Sequence, residues 1–343
     1  MRIGVLGCGV IAYWAHLRVL RRMPGATLAA AADPDPAARA SARRLTGVEL
    51  HERAEDLLRR SDIDAVVICA PTQLHVDLAV AAADAGKHFY LEKPIATDAA
   101  GAQRVVDAAA AASVIGAIGF NRRLHPLYQQ ARDLLAAGRI GRVRAVQTAF
   151  CEPLPAETMP GWRRQRASGG GVLLDLASHH LDLLRWFLRD EVQTVAASLG
   201  SQVTEQDTAQ LALTMRSGIV VQSFFSFRSG LADYLEFIGE RGTLRVDRHA
   251  PVLTLGLPRR FGYGVRHAWV APTAALVSWR LRRAIRPSYD PSYRRSLQAF
   301  VDQLLGRPAT GASLLDGVCS LEAVLSAEAS AGQYPVPLSC ALC

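Results

Sequence analysis

The feature that most constrains this chain is a short apolar strand running straight into a glycine turn. Ile3-Gly4-Val5-Leu6 is followed by Gly7-Cys8-Gly9-Val10-Ile11-Ala12, and a helical pattern then covers residues 11–22. A strand that turns into a helix within so few residues needs a glycine at the tight turn, Gly7. It needs a second where a ligand must approach the backbone, Gly9, and a small residue where helix meets strand, Ala12. The first helical turn, with Val10 and Ile11, then offers free N–H groups and a partial positive charge, which suits phosphate. Asp33 ends the next strand, 21 residues beyond Ala12. A carboxylate at that distance is placed to hold ribose hydroxyls. Gly7, Gly9, Val10, Ile11, Ala12 and Asp33 therefore predict a dinucleotide site. The carboxylate repels a 2′-phosphate, and Pro34-Asp35-Pro36 rather than an arginine follows it, so NAD is expected over NADP.

The texture of the first 120 residues agrees. Strands at 3–6, 27–32, 65–69, 88–91 and 114–120 are separated by helices at 11–22, 36–44, 54–60, by one running to Ala85 after the Pro71-Thr72 turn, and by one at 99–111. Short apolar strands alternating with helices predict βαβ units and a parallel sheet. After Asn121 the pattern changes. A helix over 126–136 is followed by longer strands at 142–151, 192–199, 209–215, 220–227, 234–239 and 243–246, and two helices, 293–305 and 314–330, close the chain. The fold class expected is α/β: an N-terminal Rossmann domain over 1–121, then an α+β domain over 122–343 with an open, mostly antiparallel sheet.

Two groups of residues carry chemistry. Glu92-Lys93-Pro94 follows a buried strand at the C-terminal edge of the predicted sheet, the edge at which such sheets bind ligands. A lysine there can hydrogen-bond a substrate hydroxyl and stabilise the alkoxide. Downstream, Gly169-Gly170-Gly171 opens a helical pattern with leucines at 173, 176, 183 and 184. Asp175 and His179 are spaced i, i+4 on one face. A histidine titrating near neutrality can take a hydroxyl proton, and an adjacent aspartate can orient substrate or tune the ring. His180 lies about 100° around that helix and is the weaker candidate. Asp182 is placed either to pair with His179 or to face solvent.

Composition bounds the rest. Half the 343 residues are hydrophobic and 20% are charged, enough for a substantial core. The apolar run at 3–6 ends in glycines, and no run approaches the ~20 residues that span a bilayer, so a cytoplasmic protein is expected. The cysteines at 8, 69, 151, 319, 340 and 343 are expected to be reduced, and no metal site is expected. The net charge of +8 is local: seven arginines and no acid lie between 259 and 286. That argues against nucleic-acid binding. Within the segment from Pro258, Arg259, Arg260 and Arg266 stand with Phe261, Tyr263, Trp269 and Trp279, and Ala274–Ile285 has helical amphipathic spacing. The stretch reads as a solvated oligomer edge, as a membrane-surface contact through 258–286, or as a flap binding anionic substrate.

These motifs, in order, resemble the Gfo/Idh/MocA oxidoreductases, named for glucose-fructose oxidoreductase and inositol dehydrogenase. The resemblance covers nearly the whole chain. It rests on the glycine turn, Ala70-Pro71-Thr72-Gln73-Leu74-His75, Glu92-Lys93-Pro94, Gly119-Phe120-Asn121-Arg122-Arg123, Trp162-Arg163, the glycine triplet, Asp175-x-x-x-His179 and the run from Tyr234 to Thr243. Gln73 departs from the asparagine common there. The resemblance implies that Lys93, Asp175 and His179 are the catalytic group, with His179 as acid/base. It also implies that Pro71, Thr72, His75, Glu92 and Lys93 flank the cofactor, that Arg122 and Arg163 lie near substrate, and that Lys93–Pro94 is cis. The implied substrates are polyols, sugars and nucleotide sugars, and the implied assembly is a homodimer or homotetramer through the C-terminal sheet. Glycoside cleavage or epimerisation with retained NAD, and dinucleotide sensing without chemistry, are the alternatives within that family.

Overall fold

The computed structural model describes residues 1–250, 253–258, 265–285, 289–331 and 336–337. Two compact units are present. The first comprises Met1–Asn121, Ala167–Gly169 and Ser292–Leu321, and the second comprises Arg122–Arg166, Gly170–Pro291 and Glu322–Cys343.

The first unit is built on a seven-stranded sheet. Its strands are β1 (Arg2–Leu6), β2 (Thr27–Ala32), β3 (Glu49–His51), β4 (Ala65–Ile68), β5 (His88–Leu91) and β6 (Gly116–Ile118), with the two-residue β15 (Ala312–Ser313) at one edge, in the order β15-β6-β5-β4-β1-β2-β3. All pairings are parallel except β15 with β6. All four residues of β4 are buried, as a strand covered on both faces requires. The helices start and stop where local chemistry dictates. Asp35 caps Pro36–Thr46 by accepting from the Ala37 amide at 2.9 Å, and Asp98 caps Ala99–Ala111 through the Gly101 amide at 2.8 Å. Helix Pro291–Leu304 belongs to this unit too. Its Leu297, Phe300 and Val301 enter the same core as Ile3, Val5, Leu17 and Tyr90, and Ser296 hydrogen-bonds the Tyr90 hydroxyl at 2.9 Å.

The second unit carries a nine-stranded sheet. Its strands are β7 (Val143–Cys151), β8 (Val192–Gly200), β9 (Thr208–Met215), β10 (Val220–Ser226), β11 (Ala232–Gly239), β12 (Gly242–Asp247), β13 (Leu253–Pro258), β14 (Val265–Trp269) and β16 (Val336–Pro337), ordered β14-β13-β12-β11-β7-β10-β9-β8-β16. Among the described residues of this sheet, only β7 with β10 runs parallel. Exposure alternates along β9 and β10, the mark of a sheet with one face on a core. The expected helix Ala274–Ile285 forms, while Arg259, Arg260, Phe261, Tyr263 and Arg286 lie outside the described residues. Cys8, Cys69 and Cys151 are free thiols. Cys319 is disulfide-bonded, which corrects the expectation that every cysteine is reduced; Cys340 and Cys343 lie outside the described residues.

Candidate functional site

In the first unit the glycine turn has the geometry its sequence demands. Gly7 has φ +93°, and a Cβ there would lie 2.8 Å from the backbone carbon of Cys69, so only glycine lets β1 pass β4 this closely. A Cβ at Gly9 would meet nothing within 4 Å, which leaves the approach to the turn open. Val10 is 75% exposed, whereas Ala12 is fully buried against the sheet. The five residues Ala12–His16 form a π-turn, a distortion frequent at functional sites. Asp33 is tied to the turn itself: its Oδ2 accepts the Cys8 amide at 2.6 Å and its Oδ1 the Asp35 amide at 2.8 Å. The Gly7 amide is taken by the Ala32 carbonyl at 2.8 Å and the Cys8 amide by Asp33, which leaves phosphate to the amides that follow at the start of the helix; with a fixed carboxylate for ribose hydroxyls these fit NAD.

The sequence reading missed two partners here. His16 is fully buried and its Nε2 lies 2.6 Å from Glu92 Oε1, so Glu92 is engaged within the protein beneath the turn. No local pattern signals a pair 76 residues apart. Arg39 is the other; its guanidinium donates to the carbonyls of Asp33 and Pro34 at 2.7 and 2.8 Å. His75 is enclosed as well. Its Nδ1 lies 2.7 Å from the Pro94 carbonyl and its Nε2 2.9 Å from that of Ala70. It therefore clamps the loop after β4 to the Lys93–Pro94 loop after β5. Burial lowers its pKa, although both carbonyls favour the protonated ring. Lys93–Pro94 is cis, Lys93 is partly exposed, and Thr72 is buried under Gly169, where a Cβ would lie 2.4 Å from the Thr72 Cβ. Burial first, then the Asp33 charge, pushes the Cys8 thiol up to about 12.

In the second unit Gly170, the middle of the glycine triplet, brings two segments together. A Cβ at Gly170 would sit 2.3 Å from the Arg163 carbonyl oxygen, and the Gly170 amide donates to the Gln165 carbonyl at 3.0 Å. Arg163 is thereby laid on the following helix, where its Nε donates to Asp175 Oδ2 at 2.5 Å; Glu152 lies 3.5 Å away on its other side. Asp175 sits in a second π-turn, Leu173–Ala177, continuous with helix Ser178–Leu188. From residue 169 to residue 185 every position is buried except Asp175 and His179. These two, expected on one helix face, both keep partial exposure.

The neighbouring polar residues are buried and engaged with one another. His180 is fully buried, with Nε2 3.1 Å from Asp233 Oδ1, and stacks on Phe150 at 5.5 Å. Arg122 donates to the same Asp233 oxygen at 2.9 Å and lies 4.1 Å over the Phe150 ring. Arg122 is therefore enclosed, holding Asp233 rather than presenting a cation at the surface. Arg248 is 3.5 Å from the other Asp233 oxygen. Burial raises the Asp233 carboxyl, but the arginines and His180 outweigh it and hold it well below the usual carboxylate range. Burial lowers the pKa of His180. Asp182 does not face solvent: it accepts the Arg123 fork, Nε to Oδ2 at 2.9 Å and the second nitrogen to Oδ1 at 2.5 Å, both groups buried.

Residues 1–120 match the family model described as oxidoreductase family, NAD-binding Rossmann fold, and residues 128–245 match the GFO/IDH/MocA C-terminal domain. Inositol 2-dehydrogenase 4 of Saccharopolyspora erythraea is 28% identical over 353 residues, covering 98% of this chain and 96% of its own. The dTDP-3,4-didehydro-2,6-dideoxy-alpha-D-glucose 3-reductase of Actinomadura kijaniata is 32% identical over 253 residues, 72% of this chain and 75% of its own. The solved structure of the WlbA dehydrogenase from Bordetella pertussis, in complex with NADH and UDP-GlcNAcA, matches with a TM-score of 0.85 at 24% identity over 99% of this chain and 98% of that one, a likeness of fold.

Proposed function

This chain belongs to the GFO/IDH/MocA oxidoreductase family, and on that premise we propose that it is an NAD-dependent enzyme acting on a secondary alcohol or ketone of a sugar, cyclitol or nucleotide sugar. The observation that carries the reading is that Asp175 and His179 alone keep exposure along an otherwise buried stretch of 17 residues, 169 to 185. Buried neighbours fix the backbone beneath them, which is how a scaffold holds reacting groups in place. NAD, when bound, supplies the acceptor for the hydride. The amides at the start of the helix after Gly9 would hold its phosphates and Asp33 its ribose hydroxyls. His179 takes the hydroxyl proton, Asp175, gripped by Arg163, orients that hydroxyl, and the Lys93 ammonium stabilises the developing alkoxide. The relatives' printed substrates, an inositol and a nucleotide sugar, support the substrate class. A homodimer or homotetramer through the second unit's sheet is supported by the exposed Val220 and Phe224 on β10. A cytoplasmic setting is favoured by the free thiols of Cys8, Cys69 and Cys151 and opposed by the disulfide-bonded Cys319.

The test is a panel of inositols, free sugars and nucleotide sugars assayed with NAD for NADH absorbance. Wild-type enzyme is expected to turn over members of one class. His179→Ala and Lys93→Met should each lower turnover by about 10² or more, the worth of a positioned acid/base or cation. NAD binding, followed by calorimetry, should survive in both variants. Full activity of His179→Ala at neutral pH overturns the assignment, and product without net NADH points to a retained cofactor.

A further inference from the structure

Helix Ala274–Ile285 is inverted relative to an ordinary surface helix. Its inner side is settled by contacts within the second unit. Leu276 and Trp279 are 1% and 3% exposed, Trp279 meets the His125 ring edge-on at 4.4 Å, and its indole N–H donates to the Tyr289 carbonyl at 3.1 Å. The side facing water should then be polar. Instead Val277, Leu281 and Ile285, spaced i, i+4, i+8, are 40%, 65% and 83% exposed. At about 100° per residue they share an arc with Ala274 and Ala284, with Arg280 at one border and Ser278 and then Arg282 at the other. On β14, Val265 and Trp269 are 53% and 82% exposed with Arg266 beside them.

The charges say what this surface meets. From Arg248 to Tyr289 the sequence has eight arginines and no aspartate or glutamate. Among the described residues no acid pairs with Arg266, Arg282 or Arg283; Arg282 donates to the Tyr289 hydroxyl at 3.3 Å and Arg283 to the Arg248 carbonyl at 3.2 Å. A second copy docked ridge to ridge would bring these arginines against each other. A phosphodiester backbone would leave the aliphatic ridge in water. An anionic bilayer surface satisfies both parts, with side chains such as leucine and isoleucine at the acyl boundary and guanidinium groups at the headgroups. No helix among the described residues is long and apolar enough to cross a membrane, and this one, about 18 Å long, has the length to lie in the interface.

We propose that helix Ala274–Ile285, together with the exposed Val265 and Trp269 of β14, docks the protein reversibly on anionic phospholipid through the Val277–Leu281–Ile285 ridge and its arginine borders. The test is flotation of the full chain with vesicles of phosphatidylcholine, with and without about one-third phosphatidylglycerol. Partition at least tenfold stronger to the anionic vesicles is expected, weakening with salt. The triple change Val277→Ser, Leu281→Ser, Ile285→Ser should remove most of that binding while thermal melting stays unchanged, because all three are exposed. Arg266→Gln with Arg282→Gln should flatten the salt dependence. If the triple variant fails to fold, quenching of wild-type tryptophan emission by brominated anionic lipid, and its loss in Trp269→Phe, decides instead. The proposal is overturned by equal partition to neutral and anionic vesicles. It is also overturned if the folded triple variant binds as well as wild type, since overall positive charge then suffices. A triple variant that halves the particle mass in solution would assign the ridge to a second copy.

Discussion

Asp33 shows how a residue legible in the sequence acquires a second meaning in the structure. Its position after β2 is readable from spacing alone, and so is the preference for NAD. Arg39 is not readable, because it stands six residues on, yet its guanidinium lies on the carbonyls of Asp33 and Pro34. The carboxylate is thus what excludes a 2′-phosphate, with a cation already nearby. Asp33→Ser alone should therefore raise kcat/KM for NADP relative to NAD by about 10² (roughly two charged hydrogen bonds' worth), and Arg39→Ala in that background should remove the gain. Paired steady-state assays check this; an Asp33→Ser enzyme still indifferent to NADP would refute it. His75 makes a different prediction. Its pKa, like that of His180, is lowered by burial from 6.5. Between the folded value and 6.5 the unfolded chain binds more protons, so stability is complete above 6.5 and falls as pH drops below it. Melting temperature should hold from pH 8 to 7 and decline toward 5.5, with a shallower decline in His75→Gln. Equal slopes in the two proteins would remove His75 from that account.

At the scale of elements, the sequence exposes periodicity and hides distortion. The strand and helix limits of Thr27–Ala32, His88–Leu91, Ala99–Ala111, Pro126–Ala136, Ala274–Ile285 and Leu314–Ser330 are readable because each has a clean period and a capping or breaking residue. The π-turns at Ala12–His16 and Leu173–Ala177 are not, since one inserted residue leaves the apolar pattern intact. The short strands Glu49–His51 and Ala312–Ser313 escape for the opposite reason: two or three residues carry no period. The glycine triplet is the element whose necessity the structure explains best. Its role in the sequence reading is only to open a helix. In the fold Gly170 presses on the backbone of 163–165 and so sets Arg163 on Asp175. Gly170→Ala must push backbone aside and should cost about 1–3 kcal/mol, the usual price of overpacking, with loss of turnover beyond the loss of stability. Gly161→Ala is the control. A Cβ there meets nothing within 4 Å, so its effect should stay within about 0.5 kcal/mol. Denaturant midpoints and initial rates on the two variants decide it; equal midpoints would mean the segment yields freely.

At the scale of the whole molecule, the linear order of the chain conceals which parts fold together. Hydropathy marks a change of texture at Asn121, and the first compact unit does pause there. It resumes with Ser292–Leu321, after the chain has built most of the second unit. Helix Pro291–Leu304 has an apolar stripe like any amphipathic helix, and nothing in its pattern names the surface it covers. That surface is the core formed by Ile3, Val5, Leu17, Leu20 and Tyr90, against which Leu297, Phe300 and Val301 are between 0% and 2% exposed. Burying three such side chains contributes about 4.5–9 kcal/mol, at roughly 1.5–3 kcal/mol each. A domain's entire stability is about 5–15 kcal/mol, so the first unit cannot spare this helix. A fragment of residues 1–121 should therefore be molten or aggregated, lacking a cooperative melt and failing to bind NAD by calorimetry. The same fragment joined by a flexible linker to residues 289–321 should regain both, because the helix, β15 and the Tyr90–Ser296 hydrogen bond return together. Replacing Leu297 and Phe300 with serine in that fusion should abolish the recovery, which separates packing of the helix from mere added length. A fragment 1–121 that melts cooperatively and binds NAD unaided would show that the returning helix covers a core already complete.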